Sequence, residues 1–428
     1  MSLSLSGWRK WLAQSLTVCG ITCVMLLPLF MFYTRALSDI AATIVAISFL
    51  LFSALTHDWR WVHKPWIKPA ALFCCLCLIA SLSSGVRASW IQALCLPRLF
   101  LLTAAAENWI LPKASRRAAL GGVFLVLALW LMSQCWEQYL TGTNLMGYPR
   151  WGDGSLTGPF VKPRAGFTFL MLFFPGIMPV VLHALHTKKL SAWAGGLLLL
   201  LLATLTMVLI GQRMSNILML FGLFLTALLV KRFRLPFLGV LVCVVAALAS
   251  LPVISPPTYA KLVLKFSNQI QHFASSDYGL LFTKATIMVL NHPWLGLGMD
   301  GFRTFCHLGM QSSGLSSVGI PPLVSPENAG CNIHPHNYYL QIATTAGLPG
   351  LLVFVVTSLC WLRAGVRNLS AECRPQQAML FVMCCTVLWP VASTSAFFSF
   401  PTAGWIFLFA GWLMASAESA NNTQKGFR

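Results

Sequence analysis

The chain has 428 residues, 57% of them hydrophobic and only 9% charged, with a formal net charge of +19 and a mean hydropathy of +0.75. Soluble domains are charged at about a quarter of their positions, so a soluble globular protein is excluded and an all-α polytopic membrane protein is expected. The positive excess does not call for nucleic acid, because most basic residues fall in short connections where they set orientation against the lipid bilayer.

In chain order, about twelve apolar runs are long enough to cross a ~30 Å hydrocarbon core. They cover 14–33, 38–57, 68–86, 89–106, 117–138, 165–185, 190–211, 214–230, 236–254, 338–362, 377–396 and 400–417. The expected division is nine transmembrane helices over 1–254, a large periplasmic loop with short interfacial helices over 255–337, and three helices with a cytoplasmic tail over 338–428. The fourth run is the weakest, since Pro97, Arg98 and Glu107 interrupt or bound it. The first is read as a retained helix, because no small-residue cleavage site leads from it into a soluble domain. Arg9, Lys10, Arg60, Lys64, Lys113, Arg116, Lys188, Lys189, Lys231 and Arg232 all fall on connections of one parity. By the positive-inside rule that side is cytoplasmic, and both termini with it.

Two outer loops stand out, at about 139–164 and 255–337. In the second, "TYAKLVLKFSNQIQHF" and "SDYGLLFTKATIMVLNHPWLG" carry apolar residues at helical spacing, which predicts short helices along the membrane surface. "GLGMDGF" resembles a phosphate-binding glycine run only loosely, with no strand before it, and is read as a turn. Of the 14 cysteines, Cys306 and Cys331 fall on the outer side. They pair if that side is oxidising and stay free thiols if it is not.

Some polar residues lie where the apolar pattern has no need of them. Arg213, in "LIGQRMSNILML", occupies the short turn between the seventh and eighth runs. A snorkelling arginine is the plain alternative. A guanidinium also offers a planar fork for two phosphate oxygens, and the anion-binding role is favoured. His336, in "IHPHNYYLQIATTAGLPG", stands at the mouth of the tenth run, with His334 two residues before it and Asn337 next. Many histidines are simply hydrogen-bonded structural groups. Near neutral pH an imidazole can also take a proton from an attacking hydroxyl. Asn337 would then fix its tautomer or hold a sugar hydroxyl. No carboxylate or cysteine completes a ligand set around His334 and His336, so no metal or cofactor is expected.

Lys284 interrupts an apolar stretch, and Arg164 with Lys162 flanks Pro163 ahead of the sixth run. Each either marks the membrane boundary or adds positive potential to the outer face. Arg303, just after "GLGMDG", joins the same substrate-binding set. The outer acidic residues Asp39, Glu137, Asp153, Asp277, Asp300 and Glu327 form no pair of the glycosidase kind. The pattern describes a cationic pocket with one titratable base at outer membrane level, suited to a lipid-linked phosphate or diphosphate.

Four stretches carry a family resemblance: "LTGPFVKPRAGFTFLMLFFP", "LIGQRMSNILML", "TKATIMVLNHPWLGLGMDGF" and "HPHNYYLQIATTAGLPGLLVF". In this order they resemble segments of the bacterial O-antigen ligases and the related polymerases, which are integral-membrane glycosyltransferases. The resemblance implies transfer of a glycan from undecaprenyl diphosphate to a lipid A–core sugar hydroxyl, without metal or nucleotide. It places that reaction at the periplasmic face of the bacterial inner membrane. By residue match it implies His336 as base and Arg213 as the grip on the diphosphate; Lys284, Arg164, Asn337, His334 and Arg303 are the further residues expected to bind substrate. Departures are Tyr278 where the family usually has arginine, Arg164 where it often has asparagine, and Gln212 where serine or threonine is common. Lys284 is the expected substitute for the arginine. A polymerase of the same family differs only in acceptor and stays open. From another class, a lipid-linked glycan transporter or flippase would need mid-membrane charges and paired broken helices.

Overall fold

The computed structural model describes residues 7–307, 330–370, 372, 374–392 and 395–425, with backbone alone over 419–425. Glu327 lies outside the described residues. In chain order the helices are α1 (Gly7–Tyr33), α2 (Arg35–Thr56), α3 (Ile67–Ser83), α4 (Arg87–Ile110), α5 (Ala114–Thr141), α6 (Ala165–His186), α7 (Leu190–Ile210), α8 (Arg213–Leu229) and α9 (Arg234–Ile254). The long connection contains α10 (Lys265–Gln271), α11 (Asp277–Asn291) and α12 (Gly301–Phe305), and α13 (Tyr338–Gly365), α14 (Pro375–Val387) and α15 (Thr402–Lys425) follow. Among the described residues there is no strand, only an isolated bridge between Thr143 and Pro149.

Among those residues, eight helices are long and apolar enough to cross a membrane, namely α1, α2, α4, α5, α6, α7, the stretch holding α9, and α13. Helices α3, α8 and α14 are shorter and apolar. This is an all-α polytopic membrane protein. Helix α6 runs through the middle, with 83% of its apolar window buried, whereas α9 has 17% buried and turns Leu235, Val242 and Val245 outward.

Apolar burial gains little from water exclusion in lipid, so close packing has to hold such a bundle together. Gly176 of α6 shows how tight it is: a Cβ there would stand 2.8 Å from the backbone of Phe124 and Leu125 on α5. Around Phe124 the rings of Trp405, Phe409 and Trp412 from α15 pack edge-on or tilted, with centroids 5.3–5.7 Å away. Pro175 widens one turn of α6 without ending it, and its carbonyl accepts a hydrogen bond from Gln376 Nε2 at 3.0 Å.

Helix α13 is broken at Ala346 and Gly347, where φ reaches +68° at the glycine. The break frees carbonyls that a hydrocarbon interior cannot leave unsatisfied. The glycine-rich turn after α11 supplies the donors: Leu297 N–H reaches Thr344 O at 2.8 Å, and Gly298 N–H reaches Thr345 O at 2.9 Å. Gly296 and Gly298 take positive φ to come this close. The expected turn at "GLGMDGF" is therefore a plug for a helix break.

One expected span needs correction. The run at 377–396 is helical only to Val387, and residues from Leu388 onward leave the helix ahead of Pro390, which cannot donate to it.

Candidate active site

Segment 333–337 sits at the same end of the bundle as the start of α8, and hydrogen bonds to distant backbone hold it there. Asn337 is the N-cap of α13, its Oδ1 accepting from Tyr339 N at 3.0 Å and Leu340 N at 3.1 Å. Its Nδ2 donates to Pro390 O at 2.8 Å and Ala392 O at 3.2 Å. Tyr339 Oη donates to Leu388 O at 2.5 Å, and Gln341 Oε1 accepts from Phe397 N at 2.7 Å. Three side chains at alternate positions thus satisfy the irregular backbone after α14. All four hydrogen-bonding positions of the Asn337 amide are used in this way. These bonds give Asn337 an architectural role as a cap and tether.

His336, next to this cap, has φ +53°, a left-handed conformation costly for any residue with a Cβ. Such strain persists where the surroundings enforce it, often beside functional cavities. Its ring stands edge-on to Tyr278 of α11, centroids 5.9 Å apart at 85°. Asn332 Nδ2 lies 3.4 Å from its Nε2.

His336 and Arg213 line the same cavity, of about 460 Å³. Arg213 heads α8, and the loops around it explain how it is held. Gln212, the N-cap, donates from Nε2 to Pro163 O at 2.6 Å and accepts from Phe167 N at 3.3 Å. It therefore joins the start of α8 to the start of α6, and Gly166 is needed because a Cβ would stand 2.6 Å from Gln212 Oε1. The Arg213 guanidinium donates one hydrogen bond to Gln269 Oε1 and lies 5.8 Å from the Phe266 ring centroid. A guanidinium has five N–H donors, so most of its fork is left for the cavity. Phe167, Leu170, Met171, Leu218, Ile270 and Phe282 make the walls apolar.

Sequence reasoning missed Lys261, which lines this cavity too. Its Nζ bonds Asp153 Oδ2 at 2.5 Å and also Ser155 Oγ. The pair ties the 139–164 loop to the long connection. Burial opposes ionisation of Asp153, yet bonds from Lys261 and from Ser155 hold its carboxyl below the usual carboxylate range. A polar lysine and glutamine among the apolar residues of "AKLVLKFSNQIQ" were the available signal.

The remaining predicted residues are elsewhere. Lys284 is half-buried on α11 and lines neither this cavity nor the one described next. Arg164 is exposed at the N-cap of α6, outside both. His334 and Arg303 line a second cavity, of about 720 Å³. The His334 and His336 rings lie 4.2 Å apart, so the His-Pro-His turn stands between the two cavities. Cys306 and Cys331 are joined by a disulfide with Cα atoms 5.7 Å apart, which resolves the alternative left open by the sequence.

Residues 197–355 match the family model described as O-Antigen ligase. That match covers α8, the long connection and the first half of α13, and so includes Arg213, Lys261 and His336. The chain is also similar to Mas-related G-protein coupled receptor member F of Homo sapiens, 30% identical over 138 residues. The likeness covers 29% of this chain and 40% of the receptor, and it carries no statement of activity here.

Proposed function

We propose, for a chain that belongs through residues 197–355 to an O-antigen ligase-like family of membrane glycosyltransferases, that it moves a glycan from undecaprenyl diphosphate to a lipid A–core sugar hydroxyl. The observation that carries this reading is the shared cavity of Arg213 and His336, lined mostly by apolar side chains with the cations Arg213 and Lys261 among them. A polyprenyl diphosphate has the matching chemistry, an apolar tail ending in a concentrated negative charge.

In the transfer, His336 accepts the proton of the acceptor hydroxyl as its oxygen bonds to the anomeric carbon of the donor sugar. The bond from that carbon to the diphosphate oxygen breaks, and its electron pair stays on the diphosphate. Arg213 faces this growing charge, and a preorganised cation in an apolar site lowers the barrier most at that point. Lys261, on the same cavity wall, is the second cation, in place of Lys284. The proton leaves His336 for solvent or for the released diphosphate. A disulfide between Cys306 and Cys331 fits an oxidising periplasm, which supports an outward-facing site in the bacterial inner membrane with cytoplasmic termini.

The test is replacement in a ligase-deficient Gram-negative strain. Wild type is expected to restore lipopolysaccharide ladders on a gel, and His336→Ala is expected not to, at equal membrane abundance. Ladders from the alanine form would remove His336 as the base. Conversion of single-repeat lipopolysaccharide to ladders in a polymerase-null host would assign polymerisation instead.

A further inference from the structure

The second cavity lies on the other side of the His-Pro-His turn and has a different chemistry. Its lining includes Arg35, Arg98 and Arg303 against Asp39 and Asp300, with Gln92, Gln341, Phe398 and Phe400. Three guanidiniums face two carboxylates, so the charge is nearly balanced and an isolated diphosphate has less reason to bind here. The side chains are ordered by one another. Arg98 Nη2 meets Asp39 Oδ1 at 2.5 Å, and Gln92 Nε2 donates to Asp300 Oδ2 at 2.6 Å. Arg35 Nε donates to Phe400 O at 2.8 Å and its Nη2 to Ser399 Oγ at 3.3 Å.

A sugar presents hydroxyls that both donate and accept, along with C–H faces that lie well on aromatic rings. Recognising it takes donors, acceptors and aromatic rings in one cavity, and this cavity has all three. Its place is equally specific. His334 lines it, and that ring is 4.2 Å from the ring of His336 in the cavity of Arg213. A hydroxyl brought up along this wall arrives beside the His336 ring.

We propose that this polar cavity is the acceptor subsite, taking a hydroxylated and at most weakly anionic glycan, with Arg303 and Gln92 among its specificity-determining residues. This rests on the glycosyl-transfer reading above. Arg303 is exposed and bonds to no helix core, so removing it leaves the bundle intact.

The experiment uses the full chain in nanodiscs, with rough-form lipopolysaccharide as acceptor and undecaprenyl diphosphate as a separate probe of the donor cavity. Arg303→Ala and Gln92→Trp, which removes a donor and fills the space respectively, are each expected to raise the acceptor KM about tenfold. Binding of undecaprenyl diphosphate stays within twofold of wild type in both. Arg213→Ala is expected to give the opposite split. Acceptor KM unchanged in both cavity variants, with donor binding intact, overturns the subsite alone. Equal weakening of donor binding in all three variants also overturns it, because the two cavities would then act as one. Wild type that fails to bind undecaprenyl diphosphate overturns the transfer reading, and the subsite with it.

Discussion

The cavity around Arg213 and the cavity around Arg303 share a histidine turn and almost nothing else. The first has apolar walls from α6, α8 and the long connection, with Arg213 and Lys261 in its lining. The second, larger one is lined by arginines, carboxylates and amides from α2, α4, α12 and the segment after α14. Desolvating a charge in an apolar wall is expensive unless a counter-charge arrives to offset it. Arg213 in the first cavity meets a glutamine and no carboxylate among the described residues, which suits an anion with a greasy tail. In the second, Arg98 is paired with Asp39 and the arginines face two carboxylates, which suits hydrogen-bonding ligands. On the proposed reading, two substrates of unlike polarity would meet at His336 with their surroundings kept apart.

The largest effect that would break this comparison is at the shared wall. His336→Ala is expected to slow transfer by about 10²–10⁴-fold, the usual worth of a general base, measured as product formed with both substrates saturating. A loss under tenfold would mean that the turn only separates the cavities. Arg213→Ala is expected to cost about 10²–10³-fold in kcat, as loss of a charge-stabilising donor does elsewhere. Arg213→Lys should recover part of it, since a lysine restores charge without the fork.

Lysines sharpen the contrast within the first cavity. Lys261→Met is expected to lower donor affinity about tenfold, on the order of 1.4 kcal/mol, read by titration with undecaprenyl diphosphate. Lys284→Met, outside both cavities, should stay within twofold, and a reversed order would return the second cation to α11. Asn337→Ala should act on stability more than on either substrate. Loss of the helix cap and of two buried donors costs about 2–3 kcal/mol, seen as a lower thermal midpoint in detergent. An unchanged midpoint would release Asn337 for a substrate role.

The smallest effect concerns Asp153, whose folded-state carboxyl is held below its ordinary value. Its contribution is complete above the ordinary carboxylate range near 4 and fades as pH falls through the folded value. Asp153→Asn should flatten that acid limb of the thermal midpoint, by less than about 1 kcal/mol for a half-exposed pair. A limb equally steep in the variant would assign it to other carboxylates.

Much of this was legible in the sequence, for reasons that differ between residues. Apolar runs report helices directly, and each expected run falls on one, although Pro390 shortens the eleventh. Arg213 and His336 stood out because a charge and an imidazole at membrane depth have few excuses. Lys261 did not stand out, since its place depends on the docking of two loops distant in sequence. Asn337 looked like a ligand-binding group beside a histidine, and its real partners lie more than fifty residues away at Pro390 and Ala392. His334 and His336 are two residues apart in a string of letters. Nothing in that string says that a proline between them turns one ring into each of two cavities.

The alternate polar residues of α13 have a consequence for how this protein can diversify. Asn337, Tyr339 and Gln341 fasten the histidine turn to the segment after α14, whose residues line both cavities. A mutation in that segment therefore reaches the imidazole and both cavities at once.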